Sequence, residues 1–325
     1  MNNIHRALLT GSILTLMAGL SACGGGGSSN LAGIGGTGIT TIGTITGFGS
    51  IFVNGVEYET TGARIVKDGA TAATEKSLEV GMVVKVTGTL NPDGSTGTAT
   101  EVVYNDEIQG PVTDTSSLAS LSQGTFSMLD NTITVSVDAN TKWKNVTSPG
   151  DLVNAFVEVS GFRTTQGITA TYVEKKTTPE EADKAEVKGT LDSGGLTITL
   201  VYGNSTLNID TTSSGCKHPI TDLGLTGGSF VELKGTLSGS PIDTICVLSG
   251  EEEDEHAVDD VSGTVEFEGI ISRLNTGTRT FNLLGHPVNY SQASVSGTLT
   301  EGAQVEVHGE FVGGTLIAEE VEVED

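Results

Sequence analysis

One alternation recurs along the chain. Apolar and polar residues trade places over six positions in Gly81-Met-Val-Val-Lys-Val-Thr-Gly88, and the pattern returns as Gly228-Ser-Phe-Val-Glu-Leu-Lys-Gly235 and as Gly302-Ala-Gln-Val-Glu-Val-His-Gly309. A fourth version, Ala155-Phe-Val-Glu-Val-Ser-Gly161, keeps the second half. Val84 and Val86, Val157 and Val159, Val231 and Leu233, and Val305 and Val307 share one face. Lys85, Glu158, Glu232 and Glu306 share the other. A period of two predicts a strand with one buried face.

The rest of the unit recurs as well. Each copy opens on a short strand containing glycine: Gly43-Thr-Ile45, Gly110-Pro-Val112, Gly189-Thr-Leu191 and Gly269-Ile-Ile271. A hairpin follows, clearest at Phe52-Val-Asn54-Gly55-Val-Glu-Tyr58, where Asn-Gly suits the positive φ angles of a type I′ turn. Weaker counterparts are Asp130-Asn131, Gly203-Asn204 and Leu284-Gly285. The copies close on Ala99-x-x-Val102, Ala170-x-x-Val173, Asp243-x-x-Cys246 and Ala318-x-x-Val321. This alignment places Cys246 inward, in the position of a buried valine.

Each unit therefore holds about five strands in roughly 55–70 residues, with no helical periodicity, which fits a small closed barrel of the OB type. Strand glycines serve as bulges or corners. A β-sandwich is the alternative architecture. A transmembrane barrel lacks support, because one Trp, five Tyr and nine Phe are too few for interfacial girdles. The predicted organisation is a signal peptide (1–22), a tether (23–38), four barrels (39–106, 107–176, 185–249 and 263–325) and an acidic linker (250–262). Units this small bury little surface alone, so neighbouring barrels are expected to pack partly against each other.

Residues 1–22 have the form of a signal peptide: His5 and Arg6, then an apolar stretch too short to span a bilayer. It ends in Leu20-Ser21-Ala22-Cys23, which resembles the bacterial lipobox, in which the cysteine receives diacylglycerol on its sulfur. An ordinary secretory peptide with a chance cysteine is the competing reading. Gly24, where Asp would signal inner-membrane retention in lipoproteins of the enterobacterial type, resembles an outer-membrane destination. The residues after Cys23, GGGGSSNLAGIGGTG, hold eight glycines and no charge, as a flexible tether does. The expected location is the outer membrane, held by lipid and facing the periplasm or the cell surface.

Thr44-Ile-Thr-Gly-Phe-Gly-Ser-Ile-Phe-Val-Asn-Gly-Val-Glu-Tyr58, followed by Leu78-x-x-Gly81-x-x-Val84-x-Val86-x-Gly88, resembles domain of unknown function 5666. That module occurs, often in tandem, in bacterial secreted proteins and lipoproteins. Copy one fits best and copy four fairly well, while copies two and three are degenerate. The resemblance implies small β-barrels on an envelope lipoprotein and brings no catalytic residues.

Charge narrows the function. The 325-residue chain carries 41 acidic and 16 basic residues, a net charge of −25, and removal of residues 1–22 leaves −26. Such a body repels phosphate backbones, so nucleic acid is excluded as a partner. With Cys23 assigned to lipid, Cys216 and Cys246 form an even pair for an oxidising compartment, and a disulfide is the favoured reading. A metal site built with His218 lacks a recognised zinc spacing, and unpaired thiols are the third alternative. The acidic run Glu251, Glu252, Glu253, Asp254, Glu255, Asp259 and Asp260 offers oxygen ligands for Ca²⁺ but not the order that wraps one ion. It is expected to be a solvated linker holding barrels three and four apart, with no metal bound. His308 is expected at the surface. The tail Glu319-Glu-Val-Glu-Val-Glu-Asp325 has the pattern of a charged edge strand.

No G-x-S-x-G, H-E-x-x-H, P-loop or C-x-x-C-H motif is present, and Gly47-Phe-Gly-Ser50 precedes a hairpin rather than a helix. The sequence thus predicts a non-catalytic envelope lipoprotein without cofactor beyond its lipid. Its modules would bind or space an envelope or extracellular protein or glycan. A divalent-cation-binding surface protein and a hydrolase with a site between barrels are the alternatives.

Overall fold

The computed structural model describes residues 38–130, 132–164, 167–178, 183–202, 205–253, 261 and 263–324. The signal peptide, Cys23 and nearly all of the tether lie outside the described residues, as do Asp254, Glu255, Asp259 and Asp260.

The fold consists of small five-stranded barrels of one topology. In barrel one, the opening strand Gly38–Gly47 pairs antiparallel with Ile51–Val53, which turns back into Val56–Glu59. Asn54 and Gly55 hold the turn at φ 49° and 74°, as their sequence predicts. Val56–Glu59 then runs parallel to the closing strand Thr96–Tyr104, which pairs with Val83–Leu90, and Val83–Leu90 returns to the opening strand. The short strand Arg64–Lys67 covers the free side of the closing strand. This is the OB order.

Barrel two repeats it with Ile108–Asp114, Gln123–Met128, Ile133–Val137, Phe156–Thr164 and Gly167–Lys175. Barrel three uses Lys184–Leu191, Thr197–Leu200, Thr206–Ile209, Phe230–Gly239 and Ile242–Glu252. In barrel four the opening strand breaks into Gly263–Ile270 and Ser272–Asn275, followed by Thr280–Leu283, His286–Asn289, Gln304–Val312 and Thr315–Val323. One short α-helix, Pro219–Leu223, and two single-turn 3₁₀ helices, Glu75–Ser77 and Pro149–Leu152, lie among the described residues.

A glycine stands at the same bulge in every barrel: Gly88, Gly161, Gly235 and Gly309, each where the register between the last two strands shifts. A Cβ at any of them would collide with a carbonyl oxygen of the closing strand, so the recurrence is steric. The valines of the alternating pattern fill the barrels; Val86, Val157, Val159, Val231, Leu233, Val305 and Val307 are fully buried.

The opposite row departs from the sequence reading. Glu158 and Glu232 are 1% and 2% exposed, and Lys85 and Glu306 are half-buried, because the outer faces meet other barrels rather than water. The opening strands of barrels one and four lie side by side in parallel, Ile39 opposite Thr264 through Ile42 opposite Phe267. Those of barrels two and three meet antiparallel at Gln109 and Glu186. Cores cross these seams: Ile42 packs in the barrel-four cluster, Tyr172 of barrel two packs in the barrel-one cluster, and barrels two and three share one cluster.

Four further expectations are corrected. The acidic tail is no edge strand, since Thr315–Val323 is paired with Gln304–Val312 on one side and with Ser294–Ser296 and His286–Asn289 on the other. His308 is half-buried, its side chain 21% exposed and Nδ1 3.8 Å from a Glu319 oxygen. Glu251 and Glu252 belong to barrel three, not to a linker, because pairing of its closing strand continues through Glu232–Glu251 and Val231–Glu252. Cys246 is half-buried rather than inward. The bulge sets Gly235 opposite Val247, so Ile245 and Val247 point into the core and Cys246 points out.

Candidate functional site

Barrels one and two are separated only by residues 105–107, and Asp106 in the middle of this link is buried at the joint. Around it converge side chains far apart in sequence. Glu158 accepts a hydrogen bond from the Tyr104 hydroxyl at 2.6 Å and faces Lys67 Nζ at 3.4 Å and Lys176 Nζ. Lys67 also pairs with Asp68 at 2.9 Å and lies 4.2 Å above the Tyr104 ring. Asp68 in turn accepts the backbone N–H of Asp106 at 3.3 Å. From barrel three, Lys188 donates to the Asp106 carbonyl oxygen and sits 3.3 Å from Glu232. Lys234 bridges Glu186 and Glu232, at 2.8 Å from each. Glu107 receives Arg163 Nε and the Tyr202 hydroxyl, both at 2.6 Å.

The electrostatics follow from this packing. Burial opposes the charge on Glu158, but Lys67 and Lys176 outweigh it and hold the carboxyl below its usual range. Glu232 is held down in the same way by Lys188 and Lys234, again against burial. Asp106 goes the other way. Burial, reinforced by Glu186 and Asp68, raises it well above the carboxylate range, and its Oδ1 has no hydrogen-bond partner among the described residues. Asp106, Glu186 and Glu232 bring carboxylate oxygens within 4.8 Å of one another. Lys188 and Lys234 already neutralise two of the three, so the cluster holds the barrels together by ion pairing.

A second polar seam joins barrels one and four. The Thr41 hydroxyl lies 2.6 Å from the Tyr58 hydroxyl and 3.3 Å from Glu266 Oε2. Glu268 accepts the Thr44 N–H at 2.7 Å and the Gln304 amide at 2.6 Å. Glu266 and Glu306 share a hydrogen bond between their side chains. Burial pushes Glu266 up to about 7, and burial together with the Glu266 charge pushes Glu306 up to about 9.

Between these seams the four barrels line a cavity of about 630 Å³ that is partly open to solvent. Barrel one contributes Val83 and Val103, barrel two Phe162 and Arg163, barrel three Lys188 and Val201, barrel four Ile271 and Leu284. Its size lies inside the range of about 300–1,000 Å³ common to small-molecule sites, and its wall mixes apolar and polar side chains in similar number. The cavity arises because the outer strand faces of four barrels converge. No short motif encodes it.

The candidate residues from the sequence lie elsewhere. Cys216 and Cys246 form a disulfide with Cα atoms 5.0 Å apart, which removes both thiols from any metal site. His218 caps the helix Pro219–Leu223, its Nδ1 accepting from the Ile220 and Thr221 amides. Glu252 accepts the Thr226 N–H at 2.6 Å, and Glu253 lines the cavity. His286 is buried edge-on to Phe311, at 4.9 Å between ring centroids. Asp106, Glu107, Lys188 and Arg163 were not singled out in the sequence. The one usable signal was the brevity of the segment between barrels one and two.

Fold and seams thus define a protein of tandem OB-like barrels packed around a shared, partly open cavity. The model of the family described as "Domain of unknown function (DUF5666)" matches residues 39–103, 109–174 and 268–322, so the chain belongs to that family. Copy two, degenerate to the eye, is among the matches. Barrel three, outside them, has the same strand order. A search of curated proteins finds no match to the chain.

Proposed function

We propose that the protein is a non-catalytic envelope lipoprotein, anchored through lipid on Cys23, whose four barrels form one binding body for a small molecule. What carries the reading is the cavity: every barrel supplies wall residues, so the tandem arrangement builds a site that no single barrel holds. The lipobox and the uncharged tether support an anchored location, as does the disulfide, which forms and persists in oxidising compartments. The test is native mass spectrometry of the full chain purified from bacterial envelopes. A bound small molecule is expected on the wild type and absent from Val103→Trp, which fills the cavity from the outer face of barrel one. Diacylglycerol mass on the Cys23 peptide is expected in the same preparation. An empty wild-type chain would remove the binding reading and leave the barrels as a spacer.

A further inference from the structure

Resting on that cavity reading, we propose that the ligand is a single-chain amphiphile ending in a carboxylate, with its hydrocarbon between the barrels and its head at Arg273. The chain has 16 basic residues, yet four of them, Lys85, Arg163, Lys188 and Arg273, line this one cavity. Of these cations Arg163 and Lys188 are paired with Glu107 and Glu232, and the acids of the wall, Glu107, Glu253 and Glu301, are likewise engaged by the protein itself. Glu107 binds Arg163 and Tyr202. Glu301 gives one oxygen to the Arg273 N–H and the other to the Leu274 N–H, each at 2.8 Å.

That clamp fixes an unusual residue. Arg273 sits at φ 55°, a left-handed conformation uncommon for side chains other than glycine, asparagine and aspartate. It follows Ile271 and Ser272, where the opening strand of barrel four breaks, and it is exposed while still lining the cavity. Its position is therefore the mouth. The guanidinium makes no ion pair among the described residues, unlike Arg64 and Arg163, which hold Glu101 and Glu107. The apolar part of the wall is Ile42, Val83, Val103, Phe162, Ile271 and Leu284, while Arg163 and Lys188 on the same wall are held by Glu107 and Glu232. A planar cation at the exposed edge of a cleft with an apolar stretch along its wall matches a carboxylate on a hydrocarbon chain. The acidic exterior disfavours free small anions, so the apolar body must supply much of the affinity.

The experiment uses the full chain in lipid nanodiscs with two photo-crosslinking probes, a diazirine-bearing long-chain fatty acid and the fatty alcohol of the same length. Adducts are mapped by peptide mass spectrometry. The fatty acid is expected to mark peptides containing Phe162, Ile271 or Leu284, and the alcohol to mark them less. Arg273→Gln should weaken half-saturation by the acid roughly five- to tenfold, with Arg273→Lys keeping most of it. Val103→Trp and Val201→Phe, two independent fillings, should each abolish cavity adducts; far-ultraviolet circular dichroism shows which of them folds. Equal marking by both probes, unchanged by Arg273→Gln, would overturn the carboxylate assignment and leave the cavity as a binding site. Adducts confined to the tether would overturn both.

Discussion

Replacement of Glu158 by Ala asks whether the outer faces of the barrels are surface or seam. Glu158 is 1% exposed and has two ammonium partners, Lys67 and Lys176, together with the Tyr104 hydroxyl. Removing it takes from both cations their most buried partner, leaving Lys67 with Asp68 and Lys176 with Glu174 at 4.0 Å, and loss of one partner from a buried ion cluster costs up to about 3–5 kcal/mol. An outer-face strand residue on a free-standing barrel would cost within about 0.5 kcal/mol. The gap is wide enough to decide by urea unfolding followed through Trp143, the only tryptophan, which packs in barrel two 6.4 Å from Phe126. The expected result is a large fall in midpoint. A quadruple change of Glu158→Leu, Lys67→Met, Lys176→Met and Asp68→Asn should restore much of it, because Asp68 would otherwise lose its Lys67 partner and the full set leaves no charge of the cluster unpaired. A midpoint within error of wild type for Glu158→Ala would refute the seam and with it the shared cavity.

Other outcomes follow from the same geometry. Glu266 and Glu306 have folded values raised above the unfolded one, so the stability they confer is complete below about pH 4.5 and is lost as pH rises toward about 9. Melting temperature should therefore fall over that window, and Glu306→Gln should flatten the fall; a parallel curve for the variant would contradict the shared proton. Cys246→Ser should cost roughly 3–4 kcal/mol, since the bond closes a 30-residue separation, and reducing agent should do the same to wild type but nothing to the variant. Gly88→Ala, which drives a Cβ into the Thr98 carbonyl, should destabilise by about 1–3 kcal/mol; unchanged denaturant midpoints would show that the bulge relaxes freely.

What the sequence could reveal was confined to single barrels. Alternation fixed which valines face inward, and Asn54-Gly55 fixed a turn, because both are local consequences of backbone geometry. The bulge glycines were visible through their fourfold recurrence. The seams were not. A period of two separates two faces but cannot say what covers the second, and Glu158 or Glu232 in that row has the appearance of a solvated charge. Their partners lie far along the chain: Lys67 is 91 residues from Glu158, and Thr41 is 225 from Glu266. Cys246 was misplaced for a different reason. The closing strand of barrel three lacks the Ala-x-x-Val signature at its true register, which Gly235 opposite Val247 defines.

Small-angle X-ray scattering on residues 38–325 tests the central claim most directly, because it asks whether four barrels make one body. A compact chain of about 290 residues has a radius of gyration near 19 Å, whereas four separate barrels in a row would approach roughly 30 Å. The account predicts the smaller value with a single-peaked distance distribution. A value near the larger one, with repeating maxima at the barrel spacing, would contradict it.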